Sequence, residues 1–152
     1  MVKNSVWIQQ EICGVKLYVY RSNVQNATTI YFLDGDQFEE PFKHWIIKHQ
    51  PALNFVLLNA NNRTDDYTPW PLQASETMPM DFGGKAEEHL SFITTHVIPF
   101  CESEYGFASS AENRVIGGYS LGGLFSLYAA VNTDLFGTVL SCSSSLWYPG
   151  FL

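Results

Sequence analysis

The residues with the clearest chemical content are Gly118-Tyr119-Ser120-Leu121-Gly122, set between a short β-forming run and an apolar helix-forming run. A serine hydroxyl attacks a carbonyl carbon only where it projects clear of its neighbours and a base can take its proton. A tight strand-to-helix turn provides the projection, and glycines two residues to either side let strand and helix approach closely. A helix starting at Leu121 turns its N-terminus toward a developing oxyanion, with the Leu121 backbone N–H as one donor. The second donor in such sites comes from the loop after an earlier strand, here Leu33-Asp34-Gly35-Asp36, where the Asp36 N–H is best placed. The spacing therefore implies a serine nucleophile for acyl transfer. The bland alternative is a glycine-rich turn bearing a surface serine.

Two phosphate-loop readings fail on spacing. A dinucleotide fingerprint needs glycine two residues after its first, and Tyr119 or Ser120 stands there. A Walker loop needs Lys followed by Ser or Thr, where this chain has Leu124-Phe125. Asp34 and Asp36 form the only local hint of a metal pair, with no histidine or third carboxylate spaced to complete it. No metal and no organic cofactor are expected.

Those residues need elements to hold them. Two alternating runs, around Val6 to Gln10 and Val15 to Tyr20, read as an antiparallel pair at a sheet edge, turning at Ile12-Cys13-Gly14. Thr28 to Leu33 and Leu53 to Leu58 are continuous apolar or aromatic runs, as in strands covered on both faces. Between them Phe38, Phe42, Trp45, Ile46 and His49 recur at helical spacing, with Pro41 near the first turn. Ala86, Leu90, Ile93, Val97 and Cys101 mark a second helix, which Pro99 should kink. A strand from Arg114 to Gly118, a helix from Leu121 to Val131 and a strand from Thr138 to Ser141 follow. The alternation demands a mostly parallel α/β sheet with helices on both faces, in one domain of 152 residues.

The stretch from Asn59 to Gly84 reads as a long loop, and such loops usually serve a site. It leaves a predicted parallel strand at the end where open α/β sheets bind ligands. Arg63, Asp65, Asp66, Tyr67 and Trp70 are thus expected at the substrate mouth, with Tyr119 and Trp147 beside the nucleophile. Arg63 either meets a polar or anionic acyl group or pairs with Asp65 or Asp66.

The net charge is −7, and the 8 Lys and Arg form no block that would meet phosphates, which excludes nucleic acid and anionic lipid as partners. No apolar run approaches the length of a membrane span, and the N-terminal MVKNSVWIQQ lacks a signal-like apolar segment. Cys13, Cys101 and Cys142 are odd in number and far apart, as free thiols in a reducing, cytoplasmic compartment would be.

The chain resembles the esterase D / enterochelin-esterase-like family of α/β-hydrolases. The resemblance rests on YFLDGD (from Tyr31), RTDDYTPWP (from Arg63), GGKAEEHLSFITTHVIPFCESEYG (from Gly83), RVIGGYSLGG (from Arg114) and DLFGTVLSCSSSLW (from Asp134). It covers nearly the whole chain. It implies hydrolysis of small-molecule carboxylic esters through an acyl-enzyme on Ser120, without metal or cofactor. In the family an acid and then a histidine follow the serine. Here only Asp134 follows, in a segment like the family's structural turn, and His44, His49, His89 and His96 all precede Ser120 on the two expected helices. The expectation is an incomplete α/β-hydrolase domain lacking its C-terminal strands, catalytic acid and base. The rival is a non-catalytic binding or scaffolding remnant. Either way the strand from Thr138 to Ser141 becomes a raw edge, through which a homodimer or aggregate is expected.

Overall fold

The computed structural model describes residues 6–152. Strands β1 (Val6–Ile12) and β2 (Val15–Arg21) form an antiparallel hairpin whose register closes at Ile12 opposite Val15. Only Cys13 and Gly14 lie between, both at positive φ (50° and 79°), which is the twist a two-residue hairpin requires. Strands β3 (Thr29–Leu33), β4 (Asn54–Leu58), β7 (Arg114–Tyr119) and β8 (Thr138–Cys142) complete a six-stranded sheet. Its order is β1-β2-β4-β3-β7-β8, parallel from β4 to β8 and antiparallel where β2 meets β1 and β4.

Both faces are covered, as the unbroken apolar strands require. On one face helix α1 (Gly35–His49) sets Ile46, Phe38 and Phe42 against Phe32, Phe55 and Leu57. Trp45 and His49, expected on the buried face, are exposed. The helix also begins earlier than its sequence suggested. Pro41 therefore sits in its interior, where the ring cannot donate to the Gln37 carbonyl, rather than in the first turn.

On the other face α3 (Ala86–Phe92), a π-helical turn (Ile93–Val97) and α4 (Ile98–Tyr105) form one bent rod. Ala86, Leu90, Ile93, Val97 and Cys101 all face the core, as their spacing predicts. Pro99 lies at the second residue of α4, and the wide turn just before it absorbs the backbone bond that proline cannot make. Helix α5 (Leu121–Asn132) packs beside this rod, buried along its first six residues. The apolar surface of α5 is mostly covered, and Val131 at 79% exposure is its main exposed part. The stretch expected to be a loop holds a short helix, α2 (Arg63–Asp66), and a two-stranded ribbon of β5 (Pro71–Leu72) and β6 (Phe82–Gly83). Among the described residues no helix is long and apolar enough to cross a membrane.

Strand β8 ends the sheet. Its outer edge carries no Lys, Pro or bulge, and Leu140 (38%), Leu146 (42%) and Trp147 (52%) lie exposed on or just beyond it. The purified chain at micromolar concentration is expected to scatter light as a dimer or larger species. A monodisperse monomer with a cooperative melt would show that this edge does not recruit a partner.

Candidate active site

Parallel strands place the residues that follow their C-terminal ends side by side, and the site is built from four such segments. Ser120 follows β7 and caps α5 with φ 58° and ψ −117°, a conformation that a residue with a side chain adopts only under constraint. A strained strand-to-helix turn of this kind can project a side-chain hydroxyl from the end of a sheet. Gly118 shows why glycine is required: a Cβ there would stand 2.5 Å from the Gly122 carbonyl. The Ser120 N–H donates to the Cys142 carbonyl at 3.0 Å, and the Ser145 N–H donates to the Ser120 carbonyl at 3.1 Å. The Ser120 hydroxyl, half-buried, lies 3.2 Å from the hydroxyl of Ser145.

Asp34, directly after β3, has a left-handed backbone (φ 59°) and turns its carboxylate toward this elbow. The Arg63 Nε donates to Asp34 Oδ1 at 2.8 Å, and Arg63 Nη2 donates to the Tyr119 carbonyl at 3.3 Å. The Asp34 N–H donates to the Tyr67 hydroxyl at 3.1 Å. Arg63 therefore reaches the peptide that joins Tyr119 to Ser120. Its partner is Asp34, so the pairing with Asp65 or Asp66, one of the two expected readings, does not form. Asp65 instead lies 4.0 Å from Lys85, and Asp66 accepts the N–H groups of Asn61 and Asn62. Tyr67, expected at the mouth, is fully buried in the core.

Asp36 differs from expectation in a second way. Its N–H donates to the Asn59 carboxamide oxygen at 2.8 Å, so this expected oxyanion donor is already engaged in the present geometry. Its carboxylate accepts from Lys16 at 2.6 Å and Tyr18 at 2.7 Å. Partial burial works to raise this carboxyl, but the bonds from Lys16 and Tyr18 outweigh it and leave it below its ordinary value. Asp34 and Asp36 are thus tied to different cations rather than converging on a metal. The Leu121 N–H occupies the first position of α5, where a helix leaves its N–H groups without helical partners.

Two exposed aromatic rings stand on the segments that carry the site, Tyr119 just before Ser120 and Trp147 two residues after Ser145. Tyr119 is 44% exposed and meets Phe38 edge-on, while Trp147 packs edge-on against Phe82. The final segment folds back over the ribbon: Trp70 Nε1 donates to the Pro149 carbonyl at 3.0 Å and the Tyr148 hydroxyl to the Trp70 carbonyl at 2.6 Å. A cavity of about 440 Å³ lies at the opposite end of the sheet, between Arg21–Ala27 and Tyr105–Phe107, and another of about 420 Å³ lies along the ribbon, lined by Pro71, Leu72, Asp81 and Phe82.

Residues 9–150 match the protein family described as "Putative esterase". The chain belongs to that esterase family. Among curated members of similar sequence, an uncharacterized protein YbbA of Bacillus subtilis is 32% identical over 126 residues, covering 82% of this chain and 49% of that protein. The iron(III) enterobactin esterase of Escherichia coli is 28% identical over 125 residues, covering 77% and 28%. The chain thus spans about half the length of the first and less of the second. In three dimensions it resembles an IroE-like serine hydrolase from Shewanella oneidensis, with a TM-score of 0.74, 20% identity, and 97% of this chain against 52% of that one. Its fold is of the α/β-hydrolase type, with a mostly parallel central sheet. The expectation of an esterase-family α/β fold drawn from five short motifs holds.

Proposed function

We propose that this chain is the nucleophile-bearing part of a serine carboxylic-ester hydrolase. The observation that carries the reading is the constrained backbone of Ser120 at the β7–α5 turn, with its hydroxyl at the C-terminal end of the parallel strands. Ser120 Oγ attacks the ester carbonyl carbon as its proton passes to a base, and the carbonyl oxygen becomes an oxyanion held by the Leu121 N–H. Collapse expels the alcohol, which takes up that proton, and leaves an acyl ester on Ser120. Water then cleaves the acyl ester and restores the hydroxyl. The Asp36 N–H can join as a second donor only if the Asn59 carboxamide releases it. Tyr119 and Trp147 flank the serine as walls for a small ester, and the exposed side of Arg63 faces the same opening.

The enterobactin esterase among the relatives supports ester chemistry, while the substrate of this chain follows its own aromatic rim. No histidine follows Ser120 in the sequence, and the hydroxyl's recorded partner is Ser145. The contact with Ser145, a hydroxyl and not a base, leaves room for a second reading, a binding module without turnover. Cys13, Cys101 and Cys142 carry no disulfide among the described residues, which suits a reducing compartment such as the cytoplasm.

The test supplies the base from outside. With imidazole added, a fluorophosphonate should add one adduct per chain, mapped to Ser120 by mass spectrometry and missing in Ser120→Ala. Adducts elsewhere, or none, would remove Ser120 from the chemistry and leave the binding module.

A further inference from the structure

Ser145 has no role in the chemistry derived so far, yet it touches the reacting atom. It lies three residues beyond β8 and is buried, with 3% of its surface exposed. The turn that carries it is fixed at several points. Ser143 has a left-handed backbone (φ 43°), the Ser144 hydroxyl bonds that of Ser141, and the Tyr148 N–H donates to the Ser145 carbonyl at 3.1 Å. Ser145 is also tied to Ser120 twice, by its N–H to the Ser120 carbonyl at 3.1 Å and by the pair of hydroxyls at 3.2 Å.

Resting on the reading of Ser120 as nucleophile, we infer that Ser145 is a positioning residue whose hydroxyl donates to Ser120 Oγ and fixes its direction of attack. The direction of this hydrogen bond follows from burial. A buried hydroxyl needs an acceptor for its proton, and Ser120 Oγ is the partner that the geometry gives Ser145. Ser120, half-buried, can direct its own proton outward. Donation from Ser145 therefore leaves the Ser120 proton free for a base and occupies one Oγ lone pair on the inner side. It also favours the oxygen as negative charge develops on it. The backbone bond adds a constraint of its own, because the same residue that orients the side chain also holds the peptide behind it.

A double-mutant cycle on the 152-residue chain tests the contact without requiring turnover. Urea unfolding is measured for wild type, Ser120→Ala, Ser145→Ala and the double variant, with circular dichroism confirming each fold. Both single variants break the same hydrogen bond, so the double variant should be less destabilised than the singles combined. The expected discrepancy is about threefold or more in the unfolding constant. Effects that multiply to within a factor of two would show that the hydroxyls do not interact, and would overturn the inference whatever Ser120 does.

The functional half is read separately from the imidazole-assisted fluorophosphonate reaction. Ser145→Ala should slow adduct formation at Ser120 about tenfold, with the slope against imidazole concentration falling and the fold unchanged. An unchanged rate would overturn the positioning role even if the cycle shows coupling. Coupling with no adduct at Ser120 in the wild type would defeat the nucleophile reading on which the inference rests.

Discussion

Ser120→Ala is expected to lower ester hydrolysis by on the order of a millionfold in kcat when the chain is joined to a C-terminal segment that supplies a histidine at the site. The size follows from how such groups act. Nucleophile and base work as a unit, so losing either costs nearly what losing both costs. The fold should survive, because the hydroxyl is half-buried and the elbow is held by other bonds: the Ser120 N–H to Cys142, the Ser145 N–H to the Ser120 carbonyl, and Arg63 to the Tyr119 carbonyl. The same reasoning sets the expectation for the 152-residue chain alone. Without an imidazole, the serine hydroxyl is a poor nucleophile, and only the oxyanion donors and binding contribute, roughly 10³–10⁴ over water. Spectrophotometric assays with short-chain p-nitrophenyl esters measure both quantities. Retained hydrolysis in a folded Ser120→Ala variant would take that residue out of the mechanism. Rapid, fluorophosphonate-sensitive turnover by the short chain would require one of the four histidines to reach the site.

The sheet was legible because its strands are buried on both faces and so are written as unbroken apolar runs. The strand-to-helix turn at Ser120 was legible because its glycines are imposed locally, by the close approach of Gly118 to Gly122. What the sequence hid is what depends on neighbours in space. Ser145, Asn59 and Asp34 are ordinary polar residues until β8, β4 and β3 are set beside their partners. A rule was available, since β3, β4, β7 and β8 are parallel and their following residues must meet at one end. It brings Asn59 to Asp36 and Ser145 to Ser120, but only once the strand order is known. Arg63 was placed at the right end of the sheet, but of its two expected readings the pairing with Asp65 or Asp66 does not form, because the short helix turns those carboxylates toward Asn61, Asn62 and Lys85. Pro41 was misplaced for a related reason: helix α1 starts at the glycine directly after the left-handed Asp34, a boundary that the apolar spacing does not mark.

Acid is expected to destabilise the fold through His89, before the carboxylates dominate. The sequence placed this histidine on a helix, and the structure buries it, with 6% exposed, against Tyr67, Phe92 and Phe125. Its Nε2 is buried without a hydrogen-bond partner among the described residues. Burial lowers its pKa to about 4, and the nearby Asp66 carboxylate opposes that shift only in part. An unfolded histidine titrates near 6.5. Between those two values the unfolded chain binds the proton and the native one does not, so stability falls as pH drops from about 6.5 toward 4. The full difference is roughly 3 kcal/mol, a large share of a domain's net stability, and it is absent above pH 6.5. Urea unfolding from pH 7.5 to 4 in wild type and in His89→Phe isolates the contribution. Phenylalanine suits an aromatic pocket and carries no proton, so the variant should lose less stability over this window, by up to that amount. Parallel pH profiles for the two proteins would mean that His89 is charged or solvated in the native state, and that its packing between α3 and α5 tolerates a proton.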